Sequence, residues 1–258
     1  MSTLAGVLKP LMGFVEKLVK LGFRNIEIID DWRHRLSDVK VEKLLALKDS
    51  WGLSFVVHAP FDGINISTPQ FALRRTSLKL IKKSLYNAYR LDAKVLVLHS
   101  GFHSPIDFLK PDTTWRILIK VLKELDRVAG DLGVHVGIEN MPANTFALLY
   151  THQDALRVFK DLGSSDNIGL TLDVGHSNTI SRCEVFKFME ELGDRIIHVH
   201  IHDNKGEEDE HLPLGEGCIE WRDVLKGLGE LRLVGGLTVE ATRLADALKS
   251  FKFLESLS

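Results

Sequence analysis

The segment VHVGIENMPANTFALLYTHQDALRVFKDLGSSDNIGLTLDVGH, residues 134–176, decides how the whole chain is read. It opens on a short run, VHVGIE (134–139), and nears its end in another, IGLTLD (168–173). Between them, the stretch near His152–Leu162 spaces its apolar residues as a helix does. Two strands joined by a helix belong to a parallel sheet, because a parallel pair needs a long crossover connection. The same alternation continues on both sides. Upstream lie NIEIID (25–30), SFVVH (54–58) and KVLVLH (94–99), with helices over Val39–Ser50, about Gln70–Leu91 and near Thr113–Asp131. Downstream come a helix near Glu184–Leu192, the strand IIHVHIH (196–202), a helix near Trp221–Leu228, GLTVE (236–240) and a last helix, Leu244–Leu257. At the start, Thr3–Leu8 reads as a weak first strand interrupted by Gly6. A helix follows from Pro10, suited to a first helical turn, to Gly22, suited to a C-terminal cap. Eight strand–helix alternations without a linker predict an α/β protein with one domain over residues 1–258, a single (β/α)8 TIM barrel. The runner-up, a doubly wound open sheet, normally carries a glycine fingerprint after its first strand, and none is present.

Composition agrees with that reading. A chain of 258 residues is ordinary for one such barrel, and 45% apolar with 26% charged residues can fill its core. The net charge of -2 gives no global attraction to nucleic acid or membrane. Cys183 and Cys218 fit no zinc or redox spacing and no disulfide framework. The N-terminal stretch, broken by Pro10, Glu16 and Lys17, reads as an amphipathic entry helix, neither a signal peptide nor a membrane span. A cytoplasmic location is expected, and a homo-oligomer is compatible with everything above. Eleven histidines are the compositional oddity, and they point to chemistry.

In this architecture the C-terminal strand ends form the active face. Reading those ends in order yields His58, His99, Glu139, Asp173, the series His198/His200/His202, and Glu240. His176 follows Asp173 in DVGH, and the acidic loop after the histidine strand carries Asp209 and His211. Any one of these alone reads as a buried, hydrogen-bonded polar residue. Six strand ends in one register do not. Imidazole nitrogen and carboxylate oxygen are the ligands of Zn²⁺, and carboxylate-rich sites also accept Mn²⁺, so one to three divalent ions per chain are expected. A central glutamate can bridge two such ions. Within the histidine strand, His200 reads as the ligand at the rim, His198 as a packed residue one layer deeper, and His202 as facing substrate.

The motifs HAPF (58–61), LHSG (98–101), IENMP (138–142), LDVGH (172–176), HIHDNK (200–205), DEHLPLGEG (209–217) and VE (239–240) resemble the xylose isomerase-like barrel superfamily over nearly the whole chain. That group joins sugar isomerases and epimerases with endonuclease IV-type abasic-site nucleases. The resemblance implies a metal site on Glu139, Asp173, His200 and Glu240, as in ketose epimerases. It also implies an extended set, with His58, His99, His176, Asp209 and His211 where endonuclease IV-type proteins place further zinc ligands. Two departures matter. His211 stands where ketose epimerases commonly have an arginine, and NMPANT after Glu139 lacks the glycine-rich continuation common in endonuclease IV.

Two activities follow from the resemblance. The first is a metal-dependent isomerase or epimerase of a sugar or sugar phosphate. Here the ion polarises a carbonyl and stabilises an enediolate, Glu139 and Glu240 exchange the proton, and His176 helps to hold the substrate. Phe61 would form an apolar wall, His202 would meet the substrate, and Lys205 with Gly215–Gly217 would receive a phosphate. The alternative is a zinc-dependent abasic-site phosphodiesterase, which needs DNA as partner; Trp32, Arg33 and Arg35, with Arg74 and Arg75, are the candidate contacts. The intact ligand set argues against a third class, a barrel kept only to bind a metabolite.

Overall fold

Seven strands, β1 (Asn25–Ile29), β2 (Ser54–His58), β3 (Val95–His99), β4 (His135–Glu139), β5 (Ile168–Asp173), β6 (Ile196–Ile201) and β7 (Gly236–Val239), pair in parallel and in chain order in the computed structural model. The structure describes residues 1–143 and 145–257; Asn144 and Ser258 lie outside the described residues. Among the described residues ten α-helices pack around the strands: α1 (Leu11–Lys20), α2 (Asp38–Trp51), α3 (Phe71–Arg90), α4 (Ile106–Leu109), α5 (Thr113–Leu132), α6 (His152–Leu162), α7 (Val174–Ile180), α8 (Glu184–Leu192), α9 (Trp221–Leu228) and α10 (Leu244–Leu257). The last four sequence-predicted helices, at 152–162, 184–192, 221–228 and 244–257, have the predicted bounds. Short α4 and α7 are additions; α7 starts where Asp173, ending β5, accepts the His176 N–H and caps the helix.

The expected first strand over Thr3–Leu8 is absent. Thr3–Gly6 instead forms a 3-10 turn, and the eighth position of the barrel is filled by the residues just before it. Ser2 bridges Glu27 of β1 in parallel, the Ser2 N–H donates to the Val239 carbonyl at 3.0 Å, and Glu27 N–H donates to the Met1 carbonyl at 3.0 Å. One bridging residue therefore spans the gap between β7 and β1. The side chain of Thr3 extends this seam, its hydroxyl accepting the Ile29 N–H at 2.9 Å.

Because parallel strands covered by helices are buried on both faces, their sequences are nearly continuous apolar runs. Ile28, Val57, Val97, Val136, Leu170 and Val199 are all fully buried. The register aligns the strand ends, with His99 opposite Glu139 and Asp173 opposite His200. That alignment places the polar residues at one end of the barrel. Among the described residues no helix is long and apolar enough to cross a membrane.

The seam allows a direct test. Thr3 is buried, so Thr3→Val keeps its shape but leaves the Ile29 N–H without an acceptor. Such a loss costs about 1–3 kcal/mol, and urea unfolding should show it as a lower midpoint with an unchanged slope. An unchanged midpoint would show that closure does not depend on this bond.

Candidate metal centre

Glu139, at the end of β4, is the hub of the cluster. One of its oxygens lies 3.3 Å from His58 Nε2 and 3.1 Å from His99 Nε2; the other lies 3.0 Å from His200 Nδ1. Asp173 and Glu240 approach the same His200 nitrogen, each at 3.7 Å. On the outer side, Asp209 lies 3.2 Å from His176 Nε2, 3.3 Å from His211 Nε2 and 3.5 Å from His202 Nε2. Of five overlapping groups of ligand-type atoms among the described residues, three adjoining ones hold the expected ligands, His58/His99/Glu139, Asp173/His200/Glu240 and His176/His202/Asp209/His211; the others are Glu139/Asp173/His176 and Glu27/His198/His200. All nine sequence-predicted metal ligands are among them.

The donor set fits a divalent ion. Asp173 Oδ2 is buried and accepts no hydrogen bond, although His200 Nδ1 stands 3.7 Å away. A buried, unpartnered carboxylate oxygen is costly, and that spacing is too long for a hydrogen bond but suits atoms sharing an ion. Neighbouring groups also turn the right nitrogens inward. His58 Nδ1 lies 2.7 Å from the Ala59 carbonyl and His176 Nδ1 lies 2.8 Å from the Asn140 carbonyl, so each Nδ1–H donates outward and leaves Nε2 to face the cluster.

Charge follows from this packing. Burial alone would raise the Glu139 carboxyl, yet His200, His58 and His99 outweigh it and hold it well below the usual range. Glu240 goes the other way: burial raises it, and the Glu27 and Glu139 charges add to that effect against the pull of His200 and His211. For His176, burial is overcome by Asp173, Asp209 and Glu139, which carry the imidazole up to about 10.

One residue that sequence reasoning did not single out holds the centre from beneath. Glu27 of β1 is buried, and one of its oxygens lies 2.9 Å from both His198 Nε2 and His200 Nε2. It accepts both N–H groups, which leaves His200 Nδ1 for the cluster. This also accounts for His198, one layer deeper, as a partner of Glu27. In NIEII the trace is faint: an acid between two buried isoleucines that face the other side of the strand. Two other residues were also missed. Asn140 accepts the Asp173 N–H at 2.8 Å and donates to the Asp173 carbonyl at 3.0 Å. Asp203 accepts N–H groups from Asn204, Gly215, Ile219 and the Trp221 indole, tying down the base of the acidic loop.

The remaining expected residues are scattered around the mouth. Phe61 stacks on His99 at 5.1 Å between ring centroids and meets Trp32 edge-on at 5.0 Å. Lys205 is exposed and pairs with Glu210 at 3.7 Å, outside the three groups. Four of the five candidate DNA contacts are engaged locally, and Arg75 is exposed. Arg33 donates to the Leu8 carbonyl, Arg35 pairs with Asp31, Arg74 donates to the Thr68 carbonyl, and the Trp32 indole donates to Asp62.

Fold and cluster together define a parallel β/α barrel with an imidazole–carboxylate centre at the C-terminal ends of its strands. More particularly, residues 15–257 match the family model described as xylose isomerase-like TIM barrel, and the chain belongs to that family. An uncharacterized protein of Methanocaldococcus jannaschii is 34% identical over 98% of this chain and 87% of its own length. A D-psicose 3-epimerase of Ruminiclostridium cellulolyticum is 26% identical over 88% of this chain and 76% of its own. Among solved structures, a D-tagatose 3-epimerase-like protein superposes with a TM-score of 0.92 at 33% identity, covering 100% of this chain and 95% of that one.

Two outcomes are expected here. Glu27→Gln leaves one oxygen for both N–H groups but removes the negative charge that holds and polarises His200 from beneath, so affinity for Zn²⁺ or Mn²⁺ should fall about 10–100-fold in a chelator competition. Wild-type affinity in that variant would remove Glu27 from the site. The second outcome concerns protons. In the ion-free protein His176 stays protonated up to about 10, and it must lose that proton to ligate. Ion affinity should therefore rise with pH through the neutral range, with protons released on loading in weakly buffered solution; a pH-independent affinity would contradict the raised imidazole.

Proposed function

We propose that the protein is a divalent-metal-dependent isomerase or epimerase of an open-chain sugar, acting by proton transfer. The observation that carries this reading is the pair Glu139 and Glu240. They reach one His200 nitrogen, at 3.0 and 3.7 Å, from strands three positions apart in the barrel, and their carboxyls are shifted in opposite directions. Two carboxyls whose environments push them in opposite directions suit two-base proton transfer. The relatives named as ketose 3-epimerases support the same class.

Asp173, His200, Glu139 and Glu240 would hold the ion. When bound, it supplies Lewis-acid polarisation of a carbonyl and its adjacent hydroxyl, which acidifies the carbon between them. Glu139, kept ionised by its three histidines, takes the proton from that carbon. Glu240, whose carboxyl is raised by burial and by its carboxylate neighbours, stands on the other side of the substrate and exchanges a proton with it. If the proton comes back to the other face, the centre is inverted; if it moves to the neighbouring atom, an aldose and a ketose interconvert. Phe61, stacked on His99, provides an apolar wall that limits water at the reacting carbon. His202 remains beside Asp173 and Asp209, and Lys205, paired on its own loop, is left out of the substrate site.

A second reading rests on a different observation, the presence of His58/His99 and His176/Asp209/His211 beside the central group. Three adjoining ligand groups suit a zinc-dependent phosphodiesterase, in which several ions flank an in-line displacement. The local engagement of Arg33, Arg35 and Arg74 favours the first reading, since a DNA enzyme needs cations available to phosphates.

The metal-loaded protein, incubated with a panel of ketoses in D₂O, should incorporate deuterium at a carbon adjacent to the carbonyl. Glu139→Gln and Glu240→Gln should each lower that exchange by about 10²–10⁴-fold. Absence of exchange on every ketose, together with EDTA-sensitive nicking of abasic-site duplex DNA that Glu139→Gln abolishes, would replace the first reading by the second.

A further inference from the structure

We infer that the outer face of α3 and α5 is a binding surface for a nucleic-acid strand, held by its phosphates on the flank of the barrel and away from the metal centre. The inference rests on the placement of charge and is independent of both chemistries considered above.

The starting point is α3 itself. Over Phe71–Arg90 it carries Lys or Arg at six positions and no Asp or Glu at any. Arg75, Lys79 and Lys83 recur every four residues along one helical face, and all three are exposed. α5 repeats the arrangement. Arg116, Lys120, Lys123 and Arg127 stand at i, i+4, i+7 and i+11, a second exposed row along a single face. A groove of about 520 Å³ follows this row.

The two rows lie side by side. Both helices return along the sheet after parallel strands, so they run in the same direction. Lys82 pairs with Glu124 at 2.5 Å, and these are the equivalent positions of the two helices. Lys79 is therefore level with Lys120, and Tyr86 with Arg127. Packed helices lie about 8–10 Å apart, and the rise of the helix gives the rows lengths of about 12 and 16 Å.

This charge is not answered from within the chain. Among the described residues none of the seven cations pairs with a carboxylate; Arg116 donates only to the Pro111 carbonyl. Glu124 is engaged by Lys82, Asp126 accepts from the Ser165 hydroxyl at 2.7 Å, and Asp131 stands one turn beyond Arg127 at the foot of the row. Exposed acids gather across the barrel instead, at Glu190 and Glu191 of α8 and at Glu207 and Glu208 of the acidic loop. A net charge of -2 thus conceals a strongly basic flank.

Two features select the partner. Cations repeated along two rows match a polymer that repeats its charge. At the lower end of α3, Tyr86 and Tyr89 are each about half exposed, with ring centroids 6.1 Å apart, and offer bases a surface on which to stack. An anionic membrane would instead require apolar side chains to enter it. Over residues 75–86 and 116–127, Tyr86 is the one large hydrophobic side chain that is exposed. Phosphate contacts of this kind position a strand without reading its sequence, and a strand on the flank leaves the mouth of the barrel open.

The full-length protein, titrated into a fluorescein-labelled DNA single strand of about 20 nucleotides between about 50 and 200 mM salt, provides the test. Wild-type affinity should fall with salt at a log–log slope of about -3 to -5, since each of about four to seven neutralised phosphates contributes about -0.7. Lys79→Glu combined with Lys120→Glu should weaken binding at least about 10-fold and make the slope shallower by about 1.4. The same change of net charge at exposed positions of α9, Arg222→Glu with Lys226→Glu, should leave affinity within about 2-fold, because salt screens charges on the far side of the barrel. Absence of salt-sensitive binding, or an equal loss in the α9 variant, would overturn the inference. So would full binding by the Lys79→Glu/Lys120→Glu protein, as contact at the barrel mouth would give, or binding to phosphatidylserine vesicles without binding to the strand. If the double reversal does not fold, Lys79→Gln with Lys120→Gln decides by the same comparison. No readout uses a ketose or strand cleavage, so failure here and failure of the proposed activity remain distinguishable.

Discussion

Carboxylates gathered where water is excluded must be neutralised, and the upper end of this barrel is built around that constraint. Glu27, Glu139, Asp173 and Glu240 are all buried. The cost of removing a single carboxylate from water amounts to several kcal/mol even after relaxation. Imidazoles answer part of this charge: His58, His99 and His200 around Glu139, and His198 and His200 around Glu27. The answer is incomplete. Asp173 Oδ2 remains without a hydrogen bond, and it is the position at which a bound cation would complete the balance.

The scaffold makes such crowding possible by fixing every member independently. Strand register aligns the ligand-bearing ends, the Asp173 carboxylate doubles as the N-cap of α7, and Asn140 clamps the Asp173 backbone on both sides. The barrel is completed by the Ser2 bridge, which also holds β1 in place, and with it Glu27 under His200. Closure of the sheet and orientation of a candidate ligand are therefore one structural problem. A loose seam would be felt at the centre.

The chemistry open to the protein depends on which ligand groups present a free position. The central group, shared between two glutamates of opposite tendency, suits proton transfer on a bound sugar. The outer group, His176, His202, Asp209 and His211, adjoins it at the mouth of the barrel.

The alternation of apolar runs and helical patterns by itself determined the barrel, since periods of two and 3.6 are written locally in the chain. Strand ends such as His58, Glu139 and Glu240 were legible for the same reason: one rule about where strands end places them all on one face. The first strand was misjudged because a single bridging residue leaves no periodic trace. Glu27 was passed over because, in a linear reading, an acid on a barrel strand is indistinguishable from one facing solvent. Only the tertiary structure could decide that His198 and His200 share Glu27, or that His202 meets Asp209 and belongs beside the outer ligands. Those relations depend on distances between residues far apart in sequence, set by strand register and by a glycine at 175 that admits a ring, and no local pattern encodes them.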